Sequence, residues 1–219
     1  MHRITLVCSV HRENGLCNAG ELLKILLAIA PEVIFEEIRP SDFDFYCKDA
    51  ARSMLEARAI EMYSEFNSFR RVPVDRFDLP RNLVAEFRRN IDLVFDHVER
   101  SSREYQQLTD ENDESVHQRG FGYLNGDDFV RVRTRLSEIE DKEIHETGDE
   151  RLIHWMHRWR RFTQSREHEM VRGIYEFCRT SSFDSGVFLV GAAHKVGIHR
   201  EIERCSGEEA VQIDWKLRP

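Results

Sequence analysis

Two histidines and three carboxylates occupy positions from which they could form a metal or acid–base site. His11 and His194 each follow a short apolar segment typical of a strand, and Glu36, Glu37 and Asp75 lie at the ends of two further segments of this kind. In an open parallel sheet, ligands bind outside the carboxyl ends of the strands, so these side chains are expected at one edge. Two imidazoles and one carboxylate suit a divalent metal with open coordination positions. The pattern therefore predicts a site of this composition.

The periodicity of the second strand leaves open which glutamate belongs to the site. Val33, Phe35 and Glu37 share one face of that strand, and Glu36 lies on the other. Both faces of a parallel strand are usually buried, so the alternation does not decide between them. Whichever carboxylate is not a metal ligand is a candidate general base.

Arg166 is a candidate for binding a negatively charged group. It begins an apolar helical stripe that must face the core, formed with Met170, Gly173, Ile174 and Phe177. Its guanidinium could pair with a carboxylate, a phosphate or the oxyanion of a substrate. The alternative is a structural salt bridge to Asp75 or Glu37. Asp75 joins the candidate catalytic group, although an Asp75-Arg76 pair is also typical of a turn with a local ion pair.

Short apolar runs alternate with helical patterns in the first third and last quarter of the chain. This alternation is typical of β-α-β units. Strands are predicted at 4–7, 33–35, 71–75, 187–190 and 211–215, and helices at 18–30, 50–69, 166–177 and from 194 toward 203. Asn18 is a suitable N-cap for the first helix, and Pro31 ends its pattern. We therefore expect an α/β fold with a mostly parallel or mixed central sheet flanked by helices.

The sequence pattern of residues 80–165 predicts successive helices and no strands. Pro80 is well placed at a helix start, and one apolar face follows it, formed by Leu83, Val84, Phe87, Ile91, Val94, Phe95 and Val98. A glycine-rich break at 120–126 precedes Asp127, which we expect to cap a further amphipathic helix ending near Ile144. The region 80–165 is therefore predicted to be a helical insertion or lid within a single domain, 1–219.

Composition excludes several classes of protein. The chain has 219 residues and a formal net charge of −8, which fits one domain and argues against a binder of duplex DNA. The longest apolar run, 22–30, contains Lys24 and is too short to span a membrane. The N-terminal segment lacks the apolar region of a signal peptide. We expect a cytoplasmic protein with no membrane partner.

The cysteines predict reduced thiols. There are five, an odd number, and they form no C-x-x-C pair, so a disulfide framework and a zinc knuckle are both disfavoured. Cys8 lies close to His11 in sequence, which is compatible with a thiol nucleophile and its base. A cysteine inside a strand is more often a small buried residue.

The segment 154–161 combines aromatic and basic residues. Such a mixture is found on surfaces that bind single-stranded nucleic acid. Trp155 and Trp159 are, however, four residues apart, which at helical spacing favours packing inside the insertion. A nucleic acid is therefore the less favoured partner, and a small molecule or peptide the more favoured one.

Five short motifs together resemble the TraB/Tiki superfamily, which also groups pheromone-shutdown, erythromycin-esterase-like and ChaN-like haem-binding proteins. The segments that carry the resemblance cover roughly the first 80 and the last 60 residues: ITLVCSVHRENG, PEVIFEEI, a helix with Glu56-x-x-Ala59 leading to VPVDRF, REHEMVRGIYEFC and VFLVGAAHKVGIH. The family pattern has two G-x-x-H motifs after strands, P-x-V-x-x-x-E, an Asp-Arg pair and an Arg-x-x-x-Met helix.

The resemblance assigns residues of this chain to those motifs. The second G-x-x-H is complete and ends at His194, whereas the first has Cys8 where the family has glycine and ends at His11. P-x-V-x-x-x-E places its carboxylate at Glu37, which the resemblance therefore favours over Glu36. The remaining matches are Asp75-Arg76 and the helix with Arg166 and Met170.

The resemblance implies a metal-dependent hydrolase of amide or ester bonds. Members of the Tiki branch are metalloproteases that use these histidines and the glutamate, so His11, Glu37 and His194 are expected to hold Mn, Co, Fe or Zn. Arg166 would stabilise the oxyanion, with Glu36 or Glu37 as base. One alternative is a non-catalytic protein that binds a ligand, metal or haem in the same pocket. Another is an interaction protein that acts through its helical insertion.

Overall fold

The computed structural model describes residues 1–48, 54–76, 81–208 and 211–217. Within these ranges the chain forms five strands: β1 (His2–Ser9), β2 (Val33–Glu36), β3 (Arg70–Pro73), β4 (Ser185–Gly191) and β5 (Ile213–Lys216). The same ranges contain eight α-helices: α1 (Ala19–Ile29), α2 (Phe43–Lys48), α3 (Leu55–Ser64), α4 (Arg81–Ser101), α5 (Arg103–Leu124), α6 (Asp127–Glu146), α7 (Glu150–Thr180) and α8 (Lys195–Glu208). None of the described helices combines the length and apolar character needed to cross a membrane.

The strands form one parallel sheet in the order β3-β2-β4-β1-β5. Its central strands are apolar on both faces: residues 4–9 of β1 and 186–191 of β4 are all buried. Such continuous burial is what a parallel sheet covered by helices requires. The prediction of an α/β fold with a largely parallel sheet flanked by helices is confirmed.

The chain leaves the neighbouring strands β1 and β4 in opposite directions. From β1 it crosses through α1 to β2, and from β4 it crosses through α8 to β5 on the other side. Because crossovers between parallel strands are right-handed, the two helices lie on opposite faces of the sheet. A crevice therefore opens between the carboxyl ends of β1 and β4, where α/β folds of this kind bind ligands.

Helix α1 agrees with the predicted element. The Asn18 side chain accepts a hydrogen bond from Glu21 N at 3.0 Å, as an N-cap does. Leu22 and Leu26 are fully buried, and the helix ends at a left-handed residue, Ala30, immediately before the predicted stop.

The next two elements differ from their predicted bounds. The beginning of the predicted helix 50–69 falls outside the described residues, and α3 ends at Ser64 because Phe69 turns back to pack on Tyr63 with ring centroids 5.1 Å apart. Strand β3 spans Arg70–Pro73, not 71–75, so Asp75 lies beyond the end of the strand. The proposed helix start at Pro80 lies outside the described residues.

Helices α4 to α7 have a hydrophobic core of their own. The predicted apolar face of α4 supplies Phe87, Ile91, Val94 and Val98, which pack against Ile144 of α6 and Trp155 and Met156 of α7. A larger core surrounds the sheet. Helix α7 connects the two regions without interruption, so position 165, the predicted end of the insertion, falls inside this helix.

The glycine-rich break is observed at Gly120 and again after Leu124. Gly120 has φ of 53° inside α5, and a Cβ there would lie 2.5 Å from Leu16 O, so the kink requires glycine. Asp127, the predicted cap, is instead the first residue of α6, and Gly126 is the N-cap. The reason is that the preceding turn is fixed to the sheet: Asn125 bonds both backbone groups of Cys8, and Lys195 Nζ donates to Leu124 O and Gly126 O.

Candidate functional site

Five of the predicted site residues lie together, four of them after the carboxyl ends of strands and the fifth on α7. His11 follows β1, Glu37 follows β2, Asp75 follows β3 and His194 follows β4. Arg166 enters the same place from α7, where it bonds the carboxylates of Glu37 and Asp75. Residues far apart in sequence therefore form one cluster at the crevice between β1 and β4.

Glu37 lies at the centre of the cluster, and both of its oxygens have partners. Oε1 is 2.6 Å from Arg166 Nη2 and 3.2 Å from His194 Nε2, and Oε2 accepts a 2.7 Å hydrogen bond from Gly191 N. Burial would raise the pKa of Glu37, but the hydrogen bond from His194 and the nearby positive charges lower it to about 2. Glu37 is therefore an anion at any physiological pH.

His194 is buried between two carboxylates. Its side chain is 9% exposed, and Nδ1 is 3.0 Å from Glu167 Oε1 while Nε2 faces Glu37. Burial would lower the pKa of His194, but the hydrogen bonds to Glu167 and Glu37 outweigh burial and raise it to about 9. At neutral pH this imidazole is a cation, and both of its N–H groups donate to carboxylates.

Arg166 forms the salt bridges that were considered as an alternative to ligand binding. Nε and Nη2 donate to Asp75 Oδ2 at 3.1 and 2.8 Å, and Nη2 also reaches Glu37. Its third nitrogen, Nη1, is 3.4 Å from His194 Nε2. Since His194 Nε2 carries a proton that it donates to Glu37, we interpret this approach as a contact of two cations held by shared anions.

His11 has a different environment from His194. Its side chain is 54% exposed, and Nδ1 donates to Glu56 Oε1 at 3.2 Å. Ser9 Oγ donates to the same oxygen at 2.6 Å and so fixes the carboxylate. The hydrogen bond that His11 donates to Glu56 is the main cause that raises the pKa of His11, against the opposing effect of burial. Its other nitrogen, Nε2, lies toward Gly191 and Glu37.

Two glycines make room for the charged groups. A Cβ on Gly191 would lie 3.2 Å from Glu37 Oε2, which would crowd that carboxylate, and 3.5 Å from His11 Nε2, an ordinary contact. A Cβ on Gly197, in the first turn of α8, would lie 1.8 Å from Glu167 Oε2. The carboxylate of Glu167 therefore depends on glycine for its position beside His194.

Glu36 is bonded to Arg71 rather than to the cluster, although it lines a small pocket together with His11, Glu37 and Glu56. Arg71 Nε and Nη2 donate to its two oxygens, each at 2.7 Å. Burial raises the pKa of Glu36 in spite of this partner. The period of the strand turns Glu36 to the opposite face from Glu37, so the structure places Glu37 with the histidines.

Two grooves adjoin the cluster and meet at Arg133 and Ala193. One, which we call the apolar groove, has a volume of about 710 Å³ and contains His11 and Gly191 in its wall; its apolar lining is formed by Val10, Val116, Leu124, Phe129 and Leu136. The other, which we call the polar groove, has a volume of about 770 Å³ and contains His194, Glu167, Arg160 and Arg200. The histidines thus face different grooves on the two sides of residues 191–193.

Comparison with known proteins adds no relative. No family model, no curated protein and no solved structure matches the chain. The TraB/Tiki resemblance therefore stays a prediction that rests on its motifs.

The donor atoms of the predicted metal site have other partners. Both nitrogens of His194 and both oxygens of Glu37 are hydrogen-bonded, and the Arg166 guanidinium lies against Glu37 Oε1 and His194 Nε2, where a shared cation would bind. Among the described residues, no group of three His, Cys, Asp or Glu side chains is arranged to hold a metal ion. In this arrangement the residues do not fit a divalent metal.

Glu56 and Glu167 are site residues that the sequence analysis did not select. Glu167 directly follows Arg166, and Glu56 lies in the first turn of α3. Glu56 does belong to a quoted motif, Glu56-x-x-Ala59, which was the available signal. Each carboxylate orients one of the two histidines.

The structure also bears on two other sequence features. Cys8 is fully buried, and burial raises the pKa of its thiol to about 12, so it is not a thiolate nucleophile at neutral pH. Trp155 is 9% exposed, and Trp159 packs on Phe87, Phe95 and Phe162. The tryptophans of segment 154–161 therefore belong to the packing of the helical region.

Proposed function

We propose that the protein is a hydrolase of ester or amide bonds in which His11 is the general base. The observation that carries the proposal is the pair formed by His11 and Glu56: a carboxylate fixed by Ser9 orients a half-exposed imidazole whose Nε2 lies near Gly191, in the wall of the apolar groove. A histidine held by a carboxylate at Nδ1 and open at Nε2 is suited to take a proton from water.

The proposed reaction begins with a water molecule between His11 and the substrate carbonyl. His11 Nε2 takes one proton as the water oxygen attacks the carbonyl carbon, and the carbonyl oxygen becomes negatively charged. The positive charges of Arg166 and His194 favour this negative charge through space, while their N–H groups stay bonded to Glu37, Asp75 and Glu167. When the tetrahedral intermediate breaks down, His11 returns the proton to the leaving alcohol or amine, and a carboxylic acid is released.

The buried carboxylates have a supporting role in this proposal. Glu37, Asp75 and Glu167 hold the two cations in place by hydrogen bonds. With a pKa of about 2, Glu37 is too weak a base to remove a proton from water. Glu36 is disfavoured as the base for a different reason, because Arg71 donates to both of its oxygens.

The test is hydrolysis of a panel of small esters, amides and peptides by the full chain and by His11→Ala. The matched control is His154→Ala, which removes an exposed histidine of α7. We expect His11→Ala to lower kcat/KM by about 10² to 10⁴-fold, the contribution of a general base, and the control to change it less than about two-fold. Equal activity of the wild type and His11→Ala would contradict the proposal.

A second candidate is a ligand-binding protein without turnover. The observation that favours it is the size of the two grooves, about 710 and 770 Å³, which lies in the range of small-molecule sites. This candidate predicts a rise in Tm on adding a ligand, with no product formed. Product formation that depends on His11 would exclude it.

A further inference from the structure

We infer that the substrate carries an uncharged, apolar group that binds in the apolar groove, beside the carbonyl that is attacked. The inference names a substrate class for the proposed hydrolase and rests on that proposal. Its starting point is that His11 and Gly191, which flank the proposed point of attack, are also part of the wall of this groove. A substrate in reach of His11 Nε2 therefore extends into it.

The lining of the groove favours apolar chemistry. Helix α5 contributes Val116 and Leu124, helix α6 contributes Phe129 and Leu136, and Val10 closes the side next to His11. All of these except Val10 are held in place by burial in the fold, so the groove is largely preformed. Burying an apolar group against such side chains is favourable in proportion to the area removed from water.

The charged residues at the edge of the groove do not favour a charged substrate group. Two arginines, Arg12 and Arg133, face two carboxylates, Glu13 and Asp113, so the formal charges cancel. Arg133 donates to the buried Glu140 at 2.6 Å, and Glu13 is 3.0 Å from Arg58. Arg133 and Glu13 are thus already paired within the protein, so neither provides a free charge for a substrate group.

The volume limits the size of the group. A groove of about 710 Å³ accommodates part or all of a drug-sized molecule, and α5 and α6 form one side of it. The inference therefore selects a small ester or amide with an alkyl or aryl substituent from the small-molecule and peptide substrates considered for the site.

The experiment measures kcat/KM for two series, 4-nitrophenyl alkanoates of increasing acyl length and alkyl acetates of increasing alcohol length. We expect at least one series to rise by up to about four-fold per methylene until the groove is filled. Ala193→Leu, which narrows the groove at an exposed position, should lower kcat/KM for the long esters at least ten-fold more than for the shortest ester.

A second variant and its control test the helical side of the groove. Leu136→Ala should flatten the length dependence, whereas Leu93→Ala, a leucine truncation on the exposed side of α4, should preserve it. Because Leu136 is buried, the Tm of each variant is measured first. If Leu136→Ala is unfolded, Ala193→Leu alone decides the result.

Binding of 4-nitrophenyl hexyl ether by equilibrium dialysis separates the inference from the proposed function. The ether has the shape of an ester but cannot be hydrolysed, so both wild type and His11→Ala should bind it, and Ala193→Leu should bind it at least five-fold more weakly. Ether binding without hydrolysis of any ester would support binding of an apolar group in the apolar groove and contradict the proposed hydrolase function. Hydrolysis that does not depend on chain length, together with no ether binding, would contradict the inference about the apolar groove and would remain consistent with the proposed hydrolase function.

Discussion

His11 and His194 follow neighbouring parallel strands at similar distances, yet their surroundings are opposite. His11 is half-exposed and has one carboxylate partner, Glu56. His194 is buried and has two, Glu37 and Glu167, with Arg166 beside it. One imidazole is therefore accessible from solvent, whereas the other is buried as a cation.

The comparison teaches that the position of a histidine after a strand does not determine its chemistry. A second carboxylate on the remaining nitrogen stabilises the imidazolium and leaves no lone pair for a substrate or a metal. Glu167 supplies that second carboxylate to His194. The functional difference between the two motifs thus depends on a residue outside both.

The largest difference between the two histidines is expected in stability. His194→Gln should lower the free energy of unfolding by about 3 to 5 kcal/mol, because it removes the cation that the buried Glu37 and Glu167 share. His11→Gln is the matched variant and should change it by less than about 0.5 kcal/mol, since its side chain is half-exposed. Unfolding in urea measures the free energy of both variants. Equal losses of stability would show that the two histidines do not differ in this respect.

Stability should also depend on pH through the buried pair. The pKa of His194 is raised from 6.5 to about 9, so its contribution is complete below pH 6.5 and is lost as the pH rises through about 9. The pKa of Glu37 is lowered from 4.5 to about 2, so its contribution is present above pH 4.5 and is lost as the pH falls through about 2.

The loss of stability at alkaline pH through His194 and the loss at acid pH through Glu37 each amount to at most about 3 kcal/mol of unfolding free energy. The two losses are not additive, because the groups are partners. Unfolding in urea at pH 6, 8 and 10 tests the alkaline limb. In His194→Gln the difference between pH 6 and pH 10 should shrink; an unchanged difference would show that another group titrates.

The partner of His11 should affect catalysis more than stability. Glu56→Gln removes the charged acceptor at Nδ1 and should lower kcat by about ten- to one hundred-fold, the value of a charge-assisted hydrogen bond. Because Glu56 raises the pKa of His11, the acid limb of the pH–rate profile should move to lower pH in this variant. Glu61→Gln, an exposed position of the same helix, is the control. A fall in kcat with an unmoved acid limb would indicate a structural effect only.

Removal of divalent metal is expected to have the smallest effect. Since Arg166 lies where a cation shared by Glu37 and His194 would bind, dialysis against EDTA should leave the activity within about two-fold of its starting value. Metal content is measured on the same samples by mass spectrometry. About one equivalent of Mn, Co, Fe or Zn, lost together with activity, would restore the metal-dependent hypothesis.

Much of the α/β fold could be predicted because its signals are local. Asn18, Leu22, Leu26 and Pro31 define α1 by capping, spacing and a stop, and β4 is a continuous apolar run between turn residues. The end of α3 could not, because the contact of Phe69 with Tyr63 ends the helix and belongs to tertiary structure.

The candidate site was predictable in its location and only partly in its contacts. The rule that ligands bind at the carboxyl ends of parallel strands brought His11, Glu37, Asp75 and His194 together. It could not show that Arg166 lies between Glu37 and His194, because this depends on the position of α7 over the sheet. This tertiary contact decides whether His194 is suited to bind a metal or to carry a proton on both nitrogens.

Helix α7 links the helical region to the candidate site. It has 31 residues and is therefore about 46 Å long; its first half packs in the helical core through Trp155 and Met156, and its second half packs on the sheet through Ile174. Arg166 lies between these two anchors. Because one continuous helix is held at both ends, the ion pair of Arg166 with Glu37 depends on the packing of the distant helices as well as on that of the sheet.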